Sequence, residues 1–204
     1  MTIYDFTNRK SIQILATQSR RIDITPWELS CVHQEMGKLM AYQIIEEIEL
    51  EDCEINHPQG KKLGKCIKDE ENIIILSLVR AGIYISNGIR YVFQKSPTYH
   101  ISSNRSEGLS KQEFEKLPSF KDRIVILADS VINTGETIIP IIQQILLMNP
   151  KEIIITCLVI FHETAEKLEK LFPDVKFYFA RSSTNFYIGK GKIDTGNRLF
   201  GIFL

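Results

Sequence analysis

The sequence predicts an α/β fold, a mostly parallel sheet flanked by helices, and three observations carry that expectation. Apolar runs rich in β-branched and aromatic residues occur at residues 73–78 (IIILSL), 124–128 (IVILA), 153–161 (IIITCLVIF) and 175–180 (VKFYFA). Unbroken apolar runs of this length mark strands buried on both faces, as in parallel sheets. Between them lie segments with helical spacing, notably 83–93 and 162–172, so strands alternate with helices. Ligands of such sheets collect at the carboxyl ends of the strands, the edge where Arg80, Asp129 and the polar tail after Ala180 fall.

Each element has its own signals. Residues 1–24 are polar and arginine-containing, with Ile12, Ile14 and Leu15 as the clearest apolar cluster, and predict an extended arm or an edge strand. Thr25 then caps a helix, with Pro26 in the first turn and Glu28 in capping-box position. Leu29, Val32, Met36, Leu39, Met40 and Ile44 extend it to about residue 48. Residues 49–69, acidic and then bearing Pro58, Gly60 and Gly64, predict a loop with room for a short hairpin. The strand at 73–78 runs into Val79-Arg80-Ala81-Gly82, where Gly82 makes a tight turn into the next helix, and 99–102 is a short strand. Residues 104–121 hold Arg105, Glu107, Gly108, Lys111, Glu113, Glu115 and Lys116 with few core residues, a solvated hairpin or a mobile loop whose length and charge favour a functional lid.

The strand at 124–128 is expected to end at Asp129, followed by Asn133, Thr134, Gly135 and a helix capped by Thr137, with Pro140 tolerated in its first turn. Such a turn offers backbone N–H groups, hydroxyls and the positive end of a helix dipole to an anion, above all a phosphate. Its plainer reading is an ordinary strand-turn-helix junction. The tail from Asn185 carries Gly189, Gly191, Gly196 and Gly201 around Asp194 and Arg198. It reads either as backbone that approaches a ligand closely or as a closing hairpin.

Composition narrows the function classes. The 204 residues are 44% hydrophobic and 25% charged, with Lys+Arg and Asp+Glu both at 25. They suit one domain over residues 1–204, with an arm at 1–24 and a tail at 181–204. The charge balance argues against a nucleic-acid groove or an anionic membrane surface, and the longest apolar run, 153–161, is too short to span a bilayer. No apolar leader follows Met1, which makes the cytoplasm the expected location. Cys31, Cys53, Cys66 and Cys157 form no CxxC pair and read as reduced. His33, His57, His100 and His162 show no metal spacing, and His162-Glu163 lacks the second histidine of a zinc-protease helix.

An acidic residue before an N-T-G-x-T turn, an Arg-Ala-Gly at another strand end and a glycine-rich tail holding an acid occur together here. In combination they resemble the uracil phosphoribosyltransferase family. The similarity runs through ADSVINTGET, LVRAG and YIGKGKIDTGNRLFG, and more weakly through MGKLMAYQIIEEIEL, Arg105 and Lys116-Leu117-Pro118, so it covers most of the chain. The tail is the most specific part, with Tyr187-Ile188, Gly191, Asp194, Gly196 and Arg198 to Gly201 all at the family's spacing.

The resemblance implies a phosphoribosyltransferase-like sheet with a C-terminal base-binding tail, and transfer of a phosphoribosyl group from phosphoribosyl pyrophosphate to uracil, giving UMP. It implies that Ser130, Asn133, Thr134, Gly135, Glu136 and Thr137 bind phosphoribosyl pyrophosphate, and that Tyr187, Ile188, Ile193 and Thr195 bind the base. Arg80 and Arg105 would hold the departing pyrophosphate, since a guanidinium fork can bind two phosphate oxygens. Asp129 and Asp194 would face the ribose. Mg²⁺ is expected to enter with phosphoribosyl pyrophosphate, with no residue assigned as its ligand, and a homo-oligomer is expected. The chain departs from the family pattern at Ser130, Glu136, Lys190, Ile193 and Asn197, where proline, glycine, proline, glycine and aspartate are usual. These departures leave open transfer to another base, or binding of phosphoribosyl pyrophosphate without catalysis.

Overall fold

The structure is a computed structural model that describes residues 2–104, 106–187 and 189–202. Eight strands are described: β1 (Ile3–Asp5), β2 (Leu50–His57), β3 (Gly60–Ile67), β4 (Ile73–Leu78), β5 (Thr98–Ile101), β6 (Ile124–Ile132), β7 (Glu152–Phe161) and β8 (Lys176–Ser183). Six form one sheet in the order β1-β8-β7-β6-β4-β5. Every neighbouring pair in it is parallel. The helices are α1 (Lys10–Ser19), α2 (Pro26–Ile45), α3 (Gly82–Val92), α4 (Lys111–Glu115), α5 (Ile138–Leu146), α6 (His162–Leu171) and α7 (Thr195–Phe200). No described helix is long and apolar enough to cross a membrane.

The apolar strands have two buried faces because side chains alternate along a strand. Ile74, Leu76, Val125, Leu127, Ile153 and Ile155 point into a core with α5 and α6. Ile73, Ile75, Ile126, Ala128 and Ile154 point into a second core with α1, α2 and α3. Helices α2 and α3 pack with their backbones close: a Cβ on Gly88 would lie 2.1 Å from the Gln34 carbonyl oxygen, and one on Gly37 2.3 Å from that of Ile85. That proximity brings the start of α2 within side-chain reach of β6.

The capping box at Thr25 and Glu28 forms as expected, with the Glu28 N–H donating to Thr25 Oγ1 at 3.2 Å and the Thr25 N–H to Glu28 Oε2 at 2.9 Å. Residues 1–24 differ from an arm: β1 is an edge strand, as one of the two expectations had it, but Ile12, Ile14 and Leu15 lie on helix α1. The buried residues of α1 are Ile12 and Ala16, four apart, and Arg9 at its N-cap makes no side-chain cap. With two core residues and no cap, its sequence carries little helical signal. The hairpin in 49–69 is longer than expected, two strands of eight residues, largely exposed on both faces and so without a strand-like apolar alternation.

Two further differences lie near the site. Strand β6 does not end at Asp129 but continues to Ile132, where Val131 and Ile132 pair with Val159 and Ile160 of β7. The tail closes as a single 3₁₀ turn at Gly191–Ile193 followed by α7, not as a hairpin. Within 104–121, Asn104 bridges Gly108 and α4 starts at a Ser110 cap, whose hydroxyl accepts the Glu113 N–H at 3.2 Å.

Candidate active site

Three connections meet at the carboxyl ends of β4, β6 and β8: the turn from Val79 to Gly82, the turn from Asn133 to Thr137, and the tail after Ser183. The second and third enclose a cavity of about 360 Å³ that Ala81 of the first also lines.

One wall is the turn into α5. Gly135 adopts φ +82°, and Ile139 donates its N–H to the Gly135 carbonyl at 3.0 Å to begin the helix. Thr137 occupies the N-cap position as expected, but its hydroxyl makes no cap bond. Thr134, Gly135, Glu136, Thr137 and Ile138 line the cavity. The first amides and the positive end of α5 therefore face it, which suits a phosphate. The Glu136 side chain is exposed and its carbonyl accepts the Ser106 N–H at 3.3 Å, so this wall is joined to the charged 104–117 segment.

The floor is Asp129, which keeps some exposure toward the cavity. Burial raises its carboxyl from the ordinary 3.8 to about 7, although the Ser130 and Val131 N–H groups favour the charged form. The nearest of these bonds is Ser130 N–H to Asp129 Oδ1 at 2.6 Å. Ser130 itself is fully buried, does not line the cavity and donates its hydroxyl to the Ala81 carbonyl at 2.6 Å.

The tail forms the opposite wall and is organised by two side chains. Asn133 acts as a surrogate peptide: its Nδ2 donates to the Tyr187 carbonyl at 2.6 Å and its Oδ1 accepts the Tyr187 N–H at 3.3 Å. Thr164 Oγ1 donates to the Asn133 carbonyl, fixing the residue from behind. The Tyr187 hydroxyl, its acidity lowered mainly by burial, donates to the Ile193 carbonyl at 2.6 Å and accepts the Thr195 N–H at 2.7 Å. Asp194 caps α7 by accepting the Asn197 N–H on Oδ1 at 2.8 Å.

The arginines divide. Arg80 is exposed and donates Nη2 to Asn197 Oδ1 at 3.0 Å, which joins the first turn to the tail. Arg198 donates Nη2 to the Ser19 carbonyl at 3.2 Å and the Arg21 carbonyl at 2.8 Å, tying α7 to the end of α1. Of the residues singled out from sequence, Asp129, Asn133 to Thr137, Tyr187, Asp194 and Thr195 line the cavity. Arg80, Ser130 and Ile193 do not; the Ile193 side chain is 60% exposed, so its bulk stays out of the pocket. Lys190, a departure from the family pattern, does line it. Arg105 and Ile188 lie outside the described residues. Sequence reasoning gave no role to Asn197 or His33, because the bonds that matter here, to Arg80 and Ser130, span more than ninety positions and carry no local signature.

Among known proteins, residues 6–202 match the family model described as Uracil phosphoribosyltransferase. A protein of that description from Ureaplasma urealyticum is 29% identical over 206 residues, covering 98% of this chain and 99% of its own. Another, from Staphylococcus epidermidis, is 32% identical over 174 residues, covering 82% and 83%. A solved structure of a protein from Aquifex aeolicus superposes with a TM-score of 0.83 at 22% identity, covering 99% of each chain.

Proposed function

The chain belongs to the uracil phosphoribosyltransferase family, and on that premise we propose that it transfers the phosphoribosyl group of phosphoribosyl pyrophosphate to uracil, releasing UMP and pyrophosphate in pyrimidine salvage. The observation that carries the assignment to a site is that one cavity joins the turn at the start of α5, a carboxylate on β6 and the tail.

In the reaction, a ring nitrogen of uracil forms a bond to the anomeric carbon while the bond from that carbon to the pyrophosphate oxygen breaks. The nitrogen's proton goes to solvent. Thr134 to Ile138 would hold the 5′-phosphate through backbone N–H groups and hydroxyls. Arg80, which does not line the cavity but reaches the tail beside cavity-lining Gly196, would take the charge of the departing pyrophosphate. Asp129 and Asp194 would lie beside the ribose, where positive charge develops. Tyr187 and Thr195, which line the cavity and are joined by the Tyr187 hydroxyl, would face the base.

Magnesium fits this donor set. Among the described residues there is no cluster of three or more metal-ligating side chains, whereas Asp129 and Asp194 are two hard carboxylates on one cavity. Mg²⁺ is commonly held by one or two carboxylates with substrate phosphates and water completing its shell. Bound there, it would neutralise charge on the pyrophosphate.

The test is UMP formation and pyrophosphate release from uracil, phosphoribosyl pyrophosphate and Mg²⁺, alongside a panel of other bases. Turnover with uracil is expected. Turnover with another base alone would favour the second reading, a different acceptor, which the cationic Lys190 in the cavity supports. The same reading includes a cytoplasmic homo-oligomer, supported by exposed Ile22, Trp27 and Leu63 on the N-terminal segment and the β2–β3 ribbon. Sedimentation as a monomer would remove that part.

A further inference from the structure

Ser130 stands where the family usually has proline, directly after Asp129, and it is fully buried. Its hydroxyl makes two contacts across the fold: Oγ donates to the Ala81 carbonyl at 2.6 Å, and lies 3.2 Å from His33 Nδ1. A carbonyl can only accept, so the hydroxyl proton lies toward Ala81, and Nδ1 must be the donor to Oγ. The result is a directed chain: His33 Nδ1–H to Ser130 Oγ–H to the Ala81 carbonyl. His33 is buried, 5% exposed, and burial with the nearby Arg198 charge depresses it to about 3, so the ring keeps one proton near neutrality. A second close contact lies beside this chain: a Cβ on Gly82 would fall 2.5 Å from the Ala128 carbonyl oxygen, so the Arg80-Ala81-Gly82 turn is seated directly against β6 next to Asp129.

We propose that His33 and Ser130 are positioning residues that fix the Arg80-bearing turn against Asp129, and so set the spacing between the pyrophosphate-binding and ribose-binding parts of the site. The inference rests on the reading of that cavity as the phosphoribosyl pyrophosphate site. A proline after Asp129 could not donate to Ala81, so the chain of bonds is tied to this departure. The relay reaches the reaction only through the backbone of residues 80–82; neither side chain touches the cavity.

The role has a distinct signature. Breaking the chain should weaken phosphoribosyl pyrophosphate far more than the base, because the tail keeps its holds through Tyr187, Asn133 and Arg198 beside the one bond from Arg80. For Ser130→Ala, the expected result is about a tenfold weaker binding of phosphoribosyl pyrophosphate by calorimetry, the scale of one lost hydrogen bond with a buried partner left unpaired. Its KM should rise by a similar factor while the KM for uracil stays within about twofold. Ser130→Thr, which keeps the hydroxyl, should restore most of the affinity. His33→Leu should weaken binding in the same direction, and His33→Asn, whose amide N–H can replace Nδ1–H, should recover it. If Ser130→Ala fails to fold, the His33 pair alone decides the matter.

Equal loss of affinity for both substrates, or no rescue by His33→Asn and Ser130→Thr, would mean a general packing role and overturn the proposal. So would a folded Ser130→Ala protein with native affinity for phosphoribosyl pyrophosphate. Absence of binding by the native protein is a different failure: it removes the reading of the cavity, and the positioning role with it.

Discussion

Arg80 donates Nη2 to the side-chain oxygen of Asn197 at 3.0 Å, across 117 positions of sequence. An amide orients a guanidinium without cancelling its charge, whereas the aspartate usual in the family would pair with it. An exposed ion pair is worth about 0.2–1 kcal/mol. Asn197→Asp should therefore raise the KM for phosphoribosyl pyrophosphate by up to about fivefold, by competition for Arg80, with little change in kcat. Steady-state kinetics at two salt concentrations checks this, since added salt should narrow the difference. Arg80→Ala should cost most of the activity, and near-native turnover would remove Arg80 from the site.

Asp129 links activity and stability through pH. Its folded carboxyl titrates at about 7, above the ordinary 3.8, because burial disfavours the charged form. Folding thus favours the protonated acid, a contribution complete below about pH 4 and lost as pH rises to about 7. Asp129→Asn, neutral throughout, should be more stable than the native protein at pH 8 and no more stable at pH 4. Three pH units correspond to roughly 4 kcal/mol, and residual exposure to the cavity trims this toward about 2 kcal/mol. Melting curves from pH 4 to 8 measure it. The same variant should lose at least about a hundredfold in turnover if the charged carboxylate faces the ribose. Native activity should climb as pH passes through about 7.

The Tyr187 hydroxyl holds the tail together on the cavity's far wall, joining the Ile193 carbonyl to the Thr195 N–H. Tyr187→Phe should raise the KM for uracil several-fold while leaving phosphoribosyl pyrophosphate binding near native. A parallel loss for both substrates would show that the hydroxyl supports the whole cavity.

The charged segment from 105 to 116 is read as a lid. Gln144 grips its base twice, accepting the Leu109 N–H at 2.8 Å and donating to the Leu109 carbonyl at 3.0 Å. Phosphoribosyl pyrophosphate should protect residues 105–116 from limited proteolysis, and Gln144→Ala should make the segment more readily cleaved without ligand. Identical cleavage with and without ligand would remove the lid.

The parallel core was legible because burial on both faces leaves little but isoleucine, leucine and valine in β4, β6 and β7. The turn into α5 was legible as a helix start from Gly135 and Thr137, and the cavity does lie against it. Helix α1 was not, since two buried residues and no cap make a faint pattern. Nor was the continuation of β6 past Asp129, where pairing with β7 overrides a polar residue that locally reads as a stop. The site's wiring was hidden for a different reason: Arg80 to Asn197 and His33 to Ser130 are pairs that only the folded chain brings together.

Arg198 spends its guanidinium on the carbonyls of Ser19 and Arg21, so the two termini are knotted at one point. If the tail selects the acceptor as proposed, that choice depends on Ser19 and Arg21 as well as on the last twenty residues. Arg198→Ala, which removes both ties and spares every cavity-lining residue, is then expected to cost discrimination between bases before it costs the grip on the sugar phosphate.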